Sequence, residues 1–138
     1  VYVDVLEHVK EDERECQTAA SLLKPAGHLI ILAPAFQSLF SEFDRSVGHY
    51  RRYNRSRLRS IIPGELREER LDYLDSLGSL LSLSNKYLLK QSMPTEEQIR
   101  FWDNIVVPIS RMFDPIAGQF FGKSILGIWS KADSQCEQ

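Results

Sequence analysis

The sequence contains no run of apolar residues that approaches the ~18 needed to cross a bilayer. Its first residues also show no basic stretch followed by an apolar region and a small-residue cleavage site. Only two cysteines are present, Cys16 and Cys136, which is too few for a disulfide framework or a cysteine metal site. We therefore expect a cytoplasmic protein with unpaired thiols.

A strong excess of one charge is also absent. The 17 basic and 19 acidic residues give a net charge of -2, so bulk charge argues against a protein that coats nucleic acid. No internal repeat or low-complexity linker divides the 138 residues, and 43% of them are hydrophobic. This composition is typical of one globular domain with one core. We expect that domain over residues 1–131 and a polar tail over residues 132–138.

The first half of the chain shows the pattern of a strand, a helix and a second strand. Residues 1–3 and 28–33 are almost continuously apolar, as expected of buried strands in a parallel sheet. Between them, apolar residues recur at helical spacing from Asp12 and stop before Pro25. Residues 35–53 have no clean period and carry five aromatic residues among charges. That segment is typical of a long loop that covers a site.

The second half adds further helices and strands. Asn54 can cap a helix that ends before Pro63. Residues 68–75 indicate a strand, and residues 77–89 form an apolar helical pattern with few charges. The alternating pattern of residues 124–131 predicts a closing strand.

Three ordered blocks carry a resemblance to a known family. They are DVLEHV at residues 4–9, LKPAGHL at residues 23–29, and PAF at residues 34–36 with GHYRRY at residues 48–53. The first two blocks resemble the fourth strand, fourth helix and fifth strand of class I S-adenosylmethionine-dependent methyltransferases, which read VLEHI and then LKPGGxL. The third is similar to the loop of a bacterial subset of that family, which reads GHxRRY.

The resemblance implies an α/β fold, namely a partial Rossmann-like methyltransferase fold. This fold would contain strands four to seven with their helices in three layers and a closing antiparallel strand. The family's Gly-rich turn and ribose-binding acidic residue have no counterpart here, and the chain opens on Val1 without a Met. We therefore expect the carboxy-terminal half of a catalytic domain, inactive by itself. Ala26 stands where the family usually has glycine.

The family relation also implies a cofactor and an acceptor. The turn after the first strand would line the methionine part of S-adenosyl-L-methionine, through Val3, Asp4, Leu6 and Glu7. The long loop would bind the methyl acceptor, which we expect to be an oxygen nucleophile on a small or lipid-like molecule, through Phe36, Arg51, Arg52 and Tyr53. Guanidinium groups match a phosphate or carboxylate on such an acceptor. The arginines of the helix predicted after this loop are better explained as a solvent-exposed helix face than as acceptor-binding residues.

The histidines suggest two kinds of chemistry. Asp4, Glu7 and His8 with His49 are similar to the metal-binding residues of small-RNA 2'-O-methyltransferases. Such a set can hold a divalent ion such as Mg²⁺, which orients a hydroxyl group and lowers its pKa. Without a metal, His8 or His49 can act as the general base. The plainer alternative is that these side chains are hydrogen-bonding partners and that His49 packs beneath the loop.

Two other classes of function stay open. A non-catalytic lobe would bind a partner chain, or a missing amino-terminal half, through the exposed edge of its first strand. An RNA-binding piece would use the arginines, although the acidic residues of the 65–75 segment argue against it. The apolar helix at residues 77–89 can cover an acceptor or touch a membrane surface, but core packing is the commoner fate of such helices.

Overall fold

The computed structural model describes residues 1–75, 96–101, 104–105, 108–109 and 121–133. These residues form a four-stranded mixed open sheet with helices, so the predicted α/β class is confirmed. The strands are β1 (Tyr2–Val3), β2 (His28–Pro34), β3 (Leu66–Leu74) and β4 (Ser124–Lys131). The helices are α1 (Asp12–Leu22), α2 (Glu42–Ser46), α3 (Arg55–Ile61) and α4 (Glu96–Phe101). In the described part of the chain, no helix has the length and apolar character that a membrane span requires.

The strand order is β1-β2-β4-β3. β1 runs parallel to β2, with α1 as the crossover between them, whereas β4 is antiparallel to both β2 and β3. The predicted closing strand therefore has its predicted bounds at residues 124–131 and its predicted antiparallel direction.

One face of the sheet carries the core. Alternate residues of β2 and β4 point to this face, because Leu29 pairs with Trp129 and Ala33 pairs with Ile125. Gly127 lies in the same row, and a side chain there would collide with the indole ring of Trp129. The face is covered by buried residues of α1 and α3: Cys16, Ala20, Leu58 and Ile61. The helix predicted at residues 77–89 lies outside the described residues, so a third layer stays a prediction.

Local signals set several of the element boundaries. The side chain of Asn54 accepts a hydrogen bond of 2.8 Å from the backbone N–H of Arg57, which confirms it as the cap of α3. β3 begins at Leu66 rather than at residue 68, because Leu66 already pairs with Lys131 of β4. Ala26 has a φ of +58°, the left-handed conformation that a glycine adopts without strain.

The segment predicted as a long loop has an ordered base. The backbone N–H of Phe36 donates to the carbonyl of Tyr53 at 2.8 Å, and the N–H of Tyr53 donates to the carbonyl of Pro34 at 2.9 Å. Residues 36–52 therefore leave and return at one point, and we call them the closed loop. They contain a 3₁₀ helix (Gln37–Leu39) and α2, which the absence of a clean period did not predict.

A buried carboxylate ties α1 to the end of the closed loop. Asp12 Oδ2 lies 3.1 Å from the hydroxyl of Tyr53 and 2.7 Å from Arg51 Nη1, and Asp12 Oδ1 lies 2.9 Å from Arg57 Nη2. Burial alone would raise the pKa of Asp12, but the hydrogen bond and charge of Arg51, with the charge of Arg57, outweigh it and lower that pKa.

This network predicts a loss of stability in acid. The folded pKa of Asp12 lies below its ordinary value of 3.8. The contacts therefore stabilise the fold above that value, and the stabilisation is lost as the pH falls from about 5 through the folded pKa. We expect Asp12→Asn to lower the free energy of unfolding at pH 7 by about 1–3 kcal/mol. We also expect it to weaken the acid dependence in urea denaturation at a series of pH values.

The matched control is Glu13→Gln, because Glu13 is the exposed neighbour on the same helix. It should change the stability by less than about 0.5 kcal/mol. Parallel pH curves for the wild-type protein and Asp12→Asn would contradict the role given to this carboxylate.

Candidate functional site

The chain turns sharply at the carboxyl end of β1. Asp4 has a φ of +50°, and its backbone N–H still donates to the carbonyl of Leu32 at 2.9 Å. A non-glycine residue in this conformation costs about 1–2 kcal/mol, so the surrounding contacts must hold it. The turn leads into a 3₁₀ helix (Leu6–His8), which places Glu7 and His8 next to the closed loop.

Two backbone hydrogen bonds bring His49 to this 3₁₀ helix. The N–H of Tyr50 donates to the carbonyl of Glu7 at 2.8 Å, and the N–H of His49 donates to the carbonyl of Asp44 at 2.8 Å. The imidazole rings of His8 and His49 then meet edge to face, with their centroids 4.6 Å apart. Two segments far apart in sequence thus present their ionisable side chains to each other.

The structure groups three of the four residues predicted as metal ligands. Glu7, His8 and His49 each offer one ligand atom within 4.8 Å of the others, and we call them the Glu7–His8–His49 cluster. Asp4 is not part of this cluster. His49 Nε2 lies 3.9 Å from Glu7 Oε1, which is too long for a hydrogen bond. Glu7 is fully buried, and neither of its carboxylate oxygens has a hydrogen-bond partner among the described residues.

The environment of Glu7 disfavours its charged form. Burial raises the pKa of Glu7 above its usual range, and the nearby charge of Asp4 adds to the effect, while the backbone N–H of Glu7 itself, His49 and His8 oppose it. A carboxylate without partners in such a place costs several kcal/mol of solvation, so its retention needs an explanation.

His49 is oriented by a second buried carboxylate. Its Nδ1 lies 2.9 Å from Oδ1 of Asp44. Asp44 also accepts hydrogen bonds from Nε and Nη2 of Arg52, at 2.8 and 2.9 Å, and from the backbone N–H of Ser41 at 2.8 Å. Burial alone would raise the pKa of Asp44, but the hydrogen bonds and charge of Arg52 outweigh it and lower that pKa. An ionised Asp44 is an acceptor only, so the Nδ1 of His49 carries a proton.

This tautomer determines what the cluster can do. With Nδ1 protonated, the unprotonated Nε2 of a neutral His49 faces the carboxylate of Glu7. A free imidazole nitrogen can accept a proton from a substrate. Two imidazoles and a carboxylate can also hold a divalent metal ion.

Neither protein-family models nor curated proteins give any match to this sequence.

Two buried ionisable residues near the candidate site were not predicted from the sequence. Asp44 follows Ser41 at the spacing of a capping box, and that pattern was the available signal for its position. Its burial and its contact with Arg52 had no such signal. Lys123 was also missed; burial lowers the pKa of its ammonium group, which lies near Asp75 and Asp44.

The four residues predicted to bind the methyl acceptor differ in their exposure to solvent. Phe36 and Arg51 keep some exposure. Phe36 stacks on Tyr73 with ring centroids 4.6 Å apart. By contrast, Arg52 holds Asp44, and Tyr53 is fully buried. Acceptor binding stays a prediction for all four, and the contacts of Arg52 and Tyr53 lie within the protein.

The predicted cofactor residues also differ in access. Val3 and Asp4 are exposed at the end of β1, whereas Leu6 and Glu7 are fully buried. The carbonyl of Leu6 accepts a hydrogen bond from the hydroxyl of Tyr53 at 3.1 Å. Cofactor binding stays a prediction for all four residues, and Val3 and Asp4 are the two that a ligand can reach from solvent.

Proposed function

We propose that the chain takes part in S-adenosylmethionine-dependent methyl transfer to an oxygen nucleophile, as part of a catalytic domain. The observation that carries this proposal is the imidazole of His49, which Asp44 orients beside the carboxyl end of β1. In open α/β sheets, ligands bind outside the carboxyl ends of the strands. The parallel pair of β1 and β2 and the antiparallel β4 support a Rossmann-like methyltransferase arrangement.

The proposed chemistry needs one base. The acceptor oxygen attacks the methyl carbon, the bond from that carbon to the sulfonium sulfur breaks, and the sulfur leaves as a neutral thioether. The hydroxyl proton passes to Nε2 of His49, the ring nitrogen that Asp44 does not engage. Asp44 acts as a positioning residue, because it touches His49 rather than the reacting atoms.

The cofactor side of the site is assigned to the turn after β1. Val3 and Asp4 are exposed there, so we propose that they contact the methionine part of the cofactor. An exposed carboxylate at Asp4 suits the cationic amino group of that part. The cytoplasm stays our proposed location, in keeping with the buried free thiol of Cys16.

A second candidate is a non-catalytic lobe that binds a partner chain. The exposed apolar residues at the β1 edge favour it, since Val1, Val3 and Val5 are 80%, 52% and 44% exposed. The RNA-binding alternative has less support, because Arg57 and Arg59 are paired with the carboxylates of Asp12 and Glu68.

A calorimetric titration with S-adenosylhomocysteine and with adenosine tests the methyl-transfer proposal. The two ligands share the nucleoside and differ by the homocysteine part, which the turn after β1 is proposed to contact. We expect S-adenosylhomocysteine to bind and adenosine to bind at least about tenfold more weakly, which corresponds to about 1.4 kcal/mol. Equal affinities would contradict the assignment of the methionine side, and no binding of either ligand would mean that this chain alone does not form the cofactor site.

A further inference from the structure

We propose that the Glu7–His8–His49 cluster binds a divalent transition-metal ion, such as Zn²⁺, through one carboxylate and two imidazoles. The proposal concerns metal binding alone, so it does not rest on methyl transfer. Its first support is Glu7, whose two oxygens are buried without a hydrogen-bond partner among the described residues. Buried polar groups in proteins normally have hydrogen-bond partners or coordinate metals, and the Nε2 of His49 is too far away for a hydrogen bond.

The second support is the direction of the His49 ring. Its Nδ1 is engaged by Asp44, so the lone pair of Nε2 points toward the carboxylate of Glu7. The 3.9 Å between Nε2 and Oε1 is too long for a direct hydrogen bond but lets one metal ion contact both atoms. A cation bound to both would satisfy Glu7.

The third support is the carboxylate of Asp44, which contacts the other ring nitrogen of His49. A histidine that ligates a metal almost always donates its other ring N–H to a carboxylate or carbonyl, which fixes the ring and raises its basicity. Asp44 stands in that relation to His49, and Arg52 holds Asp44 in turn. The cluster therefore has the outer contacts of a metal site as well as its ligands.

The nature of the donors selects the class of metal. Magnesium prefers oxygen ligands in octahedral geometry. Asp4 lies outside the cluster, so two of the three donors here are imidazole nitrogens. Zinc and related transition metals accept two histidines with one carboxylate, and three protein ligands leave a position for water or a substrate oxygen. We therefore infer a site for Zn²⁺-like ions rather than for the Mg²⁺ that the resemblance suggested.

Access to the cluster comes from the side of His8. His8 is exposed while Glu7 is fully buried, so an ion can meet the imidazole first and then the carboxylate. Gly48, with a φ of +83°, lies beside this entrance, and a β-carbon built there would stand 3.9 Å from Nδ1 of His8, in ordinary van der Waals contact.

The test is calorimetric titration of the chelator-treated chain with Zn²⁺ and with Mg²⁺, in the absence of any cofactor. We expect one Zn²⁺ per chain and no detectable Mg²⁺. Glu7→Gln and His8→Ala should each weaken Zn²⁺ binding at least about tenfold. His28→Ala is the matched control, because His28 is an exposed histidine on β2 outside the cluster, and it should bind as the wild-type protein does.

Substitution with Co²⁺ provides a second readout. Binding to the cluster should produce visible absorption bands that His8→Ala abolishes and His28→Ala retains. Because His8 is exposed, its replacement should leave the fold intact, which circular dichroism would verify. Three results would each overturn the proposal. They are no Zn²⁺ binding by the wild-type protein, Mg²⁺ binding as tight as its Zn²⁺ binding, and Zn²⁺ binding by the Glu7→Gln and His8→Ala variants as tight as that of the wild-type protein. Zn²⁺ binding without S-adenosylhomocysteine binding would support the metal site and show that it does not depend on the cofactor site.

Discussion

Replacing Asp44 with alanine is expected to lower the free energy of unfolding by about 3–5 kcal/mol. Asp44 is fully buried and accepts two hydrogen bonds from the guanidinium group of Arg52, whose side chain is 7% exposed. Alanine would leave that cation buried beside a distant acceptor, the carbonyl of Ala35 at 3.4 Å. The change would also remove the capping box of α2 and the contact that orients His49.

Urea denaturation followed by the fluorescence of the buried Trp129 would measure this loss. Asp72→Ala is the control, because Asp72 forms ion pairs on a partly exposed part of β3 and should lose less than about 1 kcal/mol. The double variant Asp44→Ala with Arg52→Met should be more stable than Asp44→Ala alone, since the unpaired cation is gone. Equal stability of the single and double variants would show that the buried charge is not the cause.

Replacing Glu7 with methionine is expected to raise the stability of the metal-free protein by about 1–3 kcal/mol. The carboxylate of Glu7 has lost its water and gained no hydrogen bond among the described residues. Methionine has a similar length, and its thioether needs no partner. The substitution therefore removes the cost of solvation without opening a large cavity.

Thermal and urea unfolding in the presence of a chelator would measure the gain. The matched control is Glu13→Met on the exposed side of α1, which should change the stability by less than about 0.5 kcal/mol. If Glu7→Met is more stable than the wild-type protein and no longer binds Zn²⁺, the carboxylate of Glu7 serves metal binding rather than stability. A loss of more than about 1 kcal/mol would instead mean that the carboxylate is itself a structural group.

Much of the fold was predictable because its elements follow simple periodic patterns. The closing strand at residues 124–131 alternates between two faces, and the helix before Pro25 repeats at helical spacing. The cap at Asn54 depends on a local hydrogen bond between residues three apart in sequence. Each of these features is decided within a short segment, so the sequence of that segment is sufficient.

The candidate site was predictable only in part. The resemblance to methyltransferases predicted Glu7, His8 and His49 as parts of one site, and the structure places them in one cluster. The buried ion pair of Asp44 and Arg52 was not predicted, because it depends on how an aperiodic loop folds back on itself. The positive φ at Asp4 was also missed, since it is imposed by contacts distant in sequence rather than by a glycine.

Backbone hydrogen bonds at Phe36 and Tyr53 hold the two ends of the closed loop together, and we call them the clasp. A loop that leaves and returns at one point can change its length at low entropic cost, about 0.6 kcal/mol for a doubling. The clasp itself uses main-chain atoms, so it does not depend on which side chains the loop carries. Changes of length within residues 36–52 are therefore expected to leave the strands and the turn at Asp4 in place, as long as Asp44 and His49 keep their positions in the site.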